Sequence, residues 1–338
     1  MRILCGWMVG VALVLSIGAS VTAQSEPLQV MATTSLLADV VARVAGDRAS
    51  VEALVPADTD AHAYEPTADD ALRLSRADLL FTVGAGYEGF IQRLLDNAGA
   101  GVPVVAVNDG VAILALAGGE TPDGAADPIG ILGSTVECTE HSHDDAAASG
   151  DHTGDEPHRT DCDPHTWMSP LNVIVWTQNI ADALAAADPA NADAYHENAS
   201  LYADELQALD AEIGALVASL SPEKRRLLTN HENMQYFAVR YGFEQVAAVL
   251  PGGTSQAEID PQTLASIIAL VRAQGVPVIF VEVTANTALA ETLAQDAGIQ
   301  VVSDLYIEAL SGPEGPAPTY LDLMRYNAQR IVGALAGS

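Results

Sequence analysis

A helical stretch from 191 to 220 limits the folds open to this chain more than any other feature. Apolar residues recur at helical spacing over 171–187, and Asp188-Pro189 restarts the chain. Helical sequence then runs on until Ser221-Pro222. About 30 residues rising about 1.5 Å each make a rod of about 45 Å. That is longer than one small domain, so the helix is expected to bridge two bodies.

The sequence on either side supports two bodies of one kind. Ahead of the helix, strands are expected at 28–33, 50–55, 79–83 and 103–107. They alternate with helical patterns, the first of them capped by Ser35 and ended by Gly46. Beyond it, strands at 226–229, 243–249, 277–282 and 300–303 alternate with helices in the same way. Strand–helix alternation of this sort builds a parallel sheet covered on both faces. The expected fold is therefore α/β. Two lobes, 24–190 and 221–338, each hold a central, mostly parallel sheet flanked by helices, and one long helix at 191–220 joins them.

Residues 1–23 read as a secretory leader: Arg2, an apolar stretch at 9–17, and Val21-Thr22-Ala23 before the cut. The apolar run is short for a membrane span. Cys5 precedes it and is badly placed for a lipid anchor, so a soluble periplasmic or other extracytoplasmic protein is expected. The 338 residues are 49% apolar, ample for a core, and the formal net charge is −31. Such acidity argues against a nucleic-acid partner, which would want clustered Lys and Arg. Cys138 and Cys162 remain after processing. In an oxidising compartment they are expected to pair, closing a loop of about 25 residues worth about 3–4 kcal/mol. Two free thiols, or thiols that touch metal, are the alternatives.

Residues 137–160 differ in kind. They hold His141, His143, His152 and His158 among seven Asp and Glu, with almost no large apolar side chains. Such a tract cannot join a core. It could collect cations weakly as an auxiliary metal loop, or be a plain solvated insertion.

Open parallel sheets bind ligands beyond the carboxyl ends of their strands. Four metal-capable side chains are expected there. His62 lies in the loop after 50–55, His231 two residues after 226–229, Asp304 directly after 300–303, and His165 at a loop-to-helix boundary. Singly, each has a bland role as a surface residue or cap. His196, inside the long helical run, has nothing to gather around it. Together the four could meet in a cleft between lobes, and three imidazoles with a carboxylate suit zinc and accept manganese.

Local motifs carry a resemblance over essentially the whole mature chain. Residues 57–67 (Ala-Asp-Thr-Asp-Ala-His-Ala-Tyr-Glu-Pro-Thr) and 163–170 (Asp-Pro-His-Thr-Trp-Met-Ser-Pro) resemble two signatures of the cluster A-I substrate-binding proteins of ABC transporters, the zinc and manganese uptake family. Thr229-Asn-His231 with Tyr236-Phe237, and Phe280-Val-Glu282 followed by Asp304 and 320–327, resemble its later motifs. The resemblance implies that His62, His165, His231 and Asp304 hold the ion, and that a long helix limits hinge motion. It also implies delivery to a membrane permease subunit. Two departures stand out: Ser169, where the family often has an acid or Asn, and Glu232-Asn-Met234, where small or aromatic residues are common.

In that family an acidic His-rich loop marks zinc members, which favours Zn2+ as the transported ion, with Mn2+ the alternative. A periplasmic zinc chaperone that exchanges metal with another protein, an adhesin, and a zinc hydrolase are the competing readings. The hydrolase would use Glu65 as base and need an open coordination position, which four protein ligands deny it. The chain is therefore expected to be a monomeric, non-enzymatic carrier. A periplasmic metallochaperone is a second candidate partner.

Overall fold

A computed structural model describes residues 27–99, 101–116, 162–250, 255 and 258–337. The leader, the His-rich tract 137–160 and Cys138 lie outside them, as do the expectations placed there.

The first sheet has the order β2-β1-β3-β4, all parallel: β1 Leu28–Thr34, β2 Ala49–Val55, β3 Leu79–Thr82 and β4 Val104–Ala106. The second repeats it as β6-β5-β7-β8, again all parallel: β5 Arg226–Thr229, β6 Glu244–Ala248, β7 Val278–Glu282 and β8 Gln300–Leu305. In β3 and β7 every residue is buried. Strands without polar alternation are covered on both faces, and here helices do the covering.

Helix α1, Ser35–Ala45, is capped by the Thr34 side chain, which accepts from the Leu37 amide, rather than by the expected Ser35. Ser35 serves the other lobe instead, accepting from the Leu310 amide at 3.2 Å. Gly46 ends α1 at φ +60°, and a Cβ there would stand 2.9 Å from Asn198 Nδ2. The end of α1 thus abuts the long helix, and Asn198 bonds back to the Val44 carbonyl. Helix α2, Ala68–Leu74, opens with a reciprocal capping box between Thr67 and Asp70. Thr67→Ala removes one side of it and is expected to cost about 1 kcal/mol, read as a lower denaturant midpoint at unchanged slope.

Helix α3 spans Ile91–Ala98 and α4 spans Pro170–Ala187. The bridging helix, α5, runs from Ala192 to Val217, 26 residues or about 39 Å. Its buried stripe (Tyr195, Ala199, Tyr202, Leu206, Leu209, Ile213, Val217) steps by three and four residues. Helices α6 Gln235–Tyr241, α7 Pro261–Gln274 and α8 Ala288–Ala297 follow.

The last helix, α9 Tyr320–Ala336, departs from the expected division of labour. It packs on α5 and on the second sheet, and it also reaches α1, where Asp39 accepts from the Tyr320 amide at 2.9 Å. A single core therefore runs from Val30 and Phe81 of the first sheet to Phe237 and Phe280 of the second. A smaller core lies under α7 and α8. The basic run Lys224-Arg225-Arg226 ties this end together. Each side chain bonds a carbonyl at the end of a different helical run: Ala336, Leu220 and Gln274 respectively. Cations in those places offset the negative helix termini. Among the described residues no helix is long and apolar enough to cross a membrane.

Candidate metal centre

The two sheets turn their carboxyl ends toward one another, and four loops meet there. The first leaves β2. Asp60 Oδ1 accepts from the His62 amide at 2.8 Å and the Ala63 amide at 3.3 Å, a turn that fixes the His62 backbone. Tyr64 Oη donates to Asp70, pinning the far end of the loop to α2.

The second loop enters α4. Asp163 Oδ1 accepts from the His165 amide at 2.9 Å and lies 2.8 Å from its ring Nδ1. One carboxylate thus orients the imidazole and leaves Nε2 for the site. Trp167 donates from Nε1 to the Ile307 carbonyl at 2.8 Å. The third loop leaves β5, where Thr229 Oγ1 donates to the His231 carbonyl at 2.7 Å.

The fourth loop follows β8 and carries Glu308. Both of its oxygens face the histidines. Oε1 lies 2.7 Å from His231 Nε2 and 3.2 Å from His165 Nε2, and Oε2 lies 3.2 Å from His62 Nε2. The three imidazole centroids stand 5.5–5.7 Å apart. One donor atom from each of His62, His165, His231 and Glu308 falls within 4.8 Å of all the others. Donors about 2.0–2.2 Å from a shared tetrahedral ion would stand about 3.3–3.6 Å apart, and Glu308 lies 2.7–3.2 Å from the three imidazole nitrogens.

Asp304 is not part of this cluster. Strand β8 extends to Leu305, so Asp304 lies within it rather than beyond its end. Its side chain is 44% exposed, pairs with Arg330 at 2.9 Å and accepts from Tyr326. Glu308, four residues on, supplies the carboxylate in its place. The signal was present in the sequence: a lone acid inside the apolar run 305–310, past a strand and ahead of a Gly/Pro-rich loop. His196 is 44% exposed near Asp182, apart from the site, and Glu65 is exposed.

Burial is the largest single influence at each group, though not always the deciding one. His165 and His231 are fully buried and Glu308 is 2% exposed. For Glu308 burial opposes the charge, yet His62, His231 and His165 outweigh it and hold the carboxyl well below its ordinary range. Burial also opposes charge on His165, but Asp163 and Glu308 overcome it and push the imidazole up to about 10. His231 is held below its usual value by burial, against the pull of Glu308. Behind it Glu282 lies 3.4 Å from Nδ1, its carboxyl raised by burial and by Glu308. His62 Nε2 and His165 Nε2, each 3.2 Å from a Glu308 oxygen, and His231 Nδ1, 3.4 Å from Glu282, make ion-pair contacts but no aligned hydrogen bond. Buried ring nitrogens left unsatisfied around a carboxylate form a donor set fitted to a divalent cation.

The family described as "ZnuA: Zinc-uptake complex component A periplasmic" matches residues 30–334. The iron-binding protein YfeA of Yersinia pestis is 28% identical over 307 residues, covering 91% of this chain and 86% of its own. The manganese-binding lipoprotein MntA of Halalkalibacterium halodurans is 29% identical over 322 residues, covering 94% and 93%. A periplasmic metal binding protein from Candidatus Liberibacter asiaticus superposes with a TM-score of 0.71 at 28% identity, covering 91% of this chain and 99% of its own.

Proposed function

The chain belongs to the zinc-uptake complex component A family, and from that premise we propose that it captures Zn2+ as the substrate-binding subunit of an ABC importer. The observation that carries the reading is the convergence of His62, His165, His231 and Glu308, from both halves of the chain, on one buried point. Three imidazoles and one carboxylate favour zinc, which takes neutral nitrogen donors readily at four-coordinate sites. Captured in the cleft, the ion is passed to a membrane permease subunit on which the closed lobes dock. The reading of 1–23 as a secretory leader supports a place of action outside the cytoplasm, where the protein is proposed to work as a monomer. The lobe boundaries follow the α5 bridge, with 24–190 and 221–338 on either side.

Manganese is the second reading. It is favoured by the Glu308 carboxylate, which turns both oxygens to the site and can add a fifth contact, and by a relative named for manganese. Titrating metal-free protein with each ion against a chelator separates the two. Zinc is expected to win at equal free concentration, and a manganese preference would sink the zinc assignment.

The acidic tract at 137–160, tethered by a Cys138–Cys162 disulfide, is proposed to gather zinc weakly and feed it to His165, or to exchange it with a metallochaperone. Deleting 137–160 is expected to leave one tight zinc per chain and abolish the additional weak sites seen by equilibrium dialysis. Unchanged weak binding would remove the tract from the account. Family membership supports a transport role over hydrolysis, and a turnover assay checks that directly.

A further inference from the structure

We propose that Asp58 is a positioning residue that sets how long a captured ion stays, by clasping the loop that carries His62 to the loop that carries Glu308. The inference rests on the metal-capture reading above. The four donors are not equally sealed. The His62 side chain is 8% exposed, against 0% for His165 and His231 and 1% for Glu308. The loop after β2 is therefore the side on which solvent reaches the site and through which an ion leaves.

Asp58 lies four residues before His62 and makes two bonds to the opposite loop. Its amide donates to the Leu310 carbonyl at 2.9 Å, and its Oδ2 accepts from the Gly312 amide at 3.0 Å. Leu310 and Gly312 follow Glu308 by two and four residues, so the bonds join one donor-bearing loop to another. The backbone at Asp58 sits at φ +55°. That region is unfavourable for a residue with a Cβ, and its partners hold the chain there. At Gly312 a Cβ would stand 3.6 Å from Asp58 Oδ2, so the two loops meet closely.

Asp58 is exposed and so is its side-chain bond to Gly312, while Leu310 and the bond from Trp167 to Ile307 on the inner side of the same loop are buried. Water competes for the outer bond between Asp58 and Gly312 and not for the inner one, so the outer bond opens first. Asp60 also reaches across, accepting from Ser255 Oγ at 2.7 Å. It holds the His62 amide as well, however, so removing it would disturb a donor directly. Asp58 makes no hydrogen bond or ion pair to any of the four donors among those described, and it offers the cleaner test.

The test is stopped-flow release of zinc into excess chelator. Asp58→Gly keeps the positive φ and loses the carboxylate. It is expected to release zinc about three- to tenfold faster, the worth of one net hydrogen bond, with the capture rate unchanged. Asp58→Asn keeps an acceptor for the Gly312 amide and is expected to stay within about twofold of the parent. His62→Ala, the control for the site itself, should release zinc far faster than either. Parental release by Asp58→Gly beside fast release by His62→Ala overturns the clasp and leaves the metal reading standing. Asp58→Asn releasing as fast as Asp58→Gly also overturns the clasp. Parental release by His62→Ala overturns the metal reading itself.

Discussion

Glu308→Ala is expected to weaken zinc binding by about 100-fold or more, while Asp304→Ala leaves it within about twofold of the parent. Among the described residues Glu308 is the one carboxylate that touches all three imidazoles, at 2.7 Å and twice at 3.2 Å. Without it a dication would sit buried among neutral nitrogens with no carboxylate in contact, the nearest acids, Asp163 and Glu282, lying behind imidazoles, a costly arrangement in a low-dielectric site. Asp304→Ala breaks a half-exposed pair with Arg330, worth about 0–1 kcal/mol of stability, and the bond from Tyr326, and nothing at the site. Competition against a chelator of known affinity measures both variants, and thermal melts of the metal-free proteins show whether each is folded. The reverse pattern, with Asp304→Ala crippled and Glu308→Ala intact, would restore the expectation drawn from the sequence.

Capture at neutral pH is expected to release about one proton per ion, and apparent affinity to fall about tenfold per pH unit on acidification from pH 9 to 7. The source is His165. Burial works against its charge, but Asp163 and Glu308 raise it to about 10, so the metal-free imidazole carries a proton that zinc must displace. His231, lowered by burial, is neutral at pH 7, and Glu308, held low by the histidines, is ionised. Neither adds a proton to the count there. The same group links to folding. A histidine raised in the folded state stabilises it fully below its unfolded value of about 6.5, and that contribution is lost as pH rises through about 10. Metal-free protein should therefore lose thermal stability between pH 7 and 10 more steeply than zinc-loaded protein, in which His165 carries no proton. Calorimetry in buffers of different ionisation enthalpy counts the protons. A count of zero at pH 7 would contradict this assignment of charge.

The fold was legible because its signals are local. Strand–helix alternation on both sides of 191–220 implied two parallel sheets, and the α5 stripe shows the three- and four-residue step. Helix α9 was read less fully. Its apolar stripe says that it is buried but not against what, and part of its partner surface is α1, almost 300 residues earlier in sequence. The three histidines could be placed because each follows a strand or opens a helix. The carboxylate was misplaced for a reason that spacing cannot repair. Residues 300–305 pair with β7 through a register shift between Phe280 and Glu282, which carries β8 to Leu305. Two extra strand residues turned a presumed strand-end ligand into a strand side chain facing α9. The interlobe bonds of Trp167 and Asp58 are tertiary contacts with no local sequence signature.

Anomalous diffraction from crystals of the zinc-loaded protein, recorded on both sides of the zinc edge, tests the central claim most directly. The account predicts one strong peak about 2.0–2.2 Å from a nitrogen of each of His62, His165 and His231 and from a Glu308 oxygen, with Asp304 still paired to Arg330. A peak bound by Asp304, or one that leaves any of the three histidines uncoordinated, would contradict it.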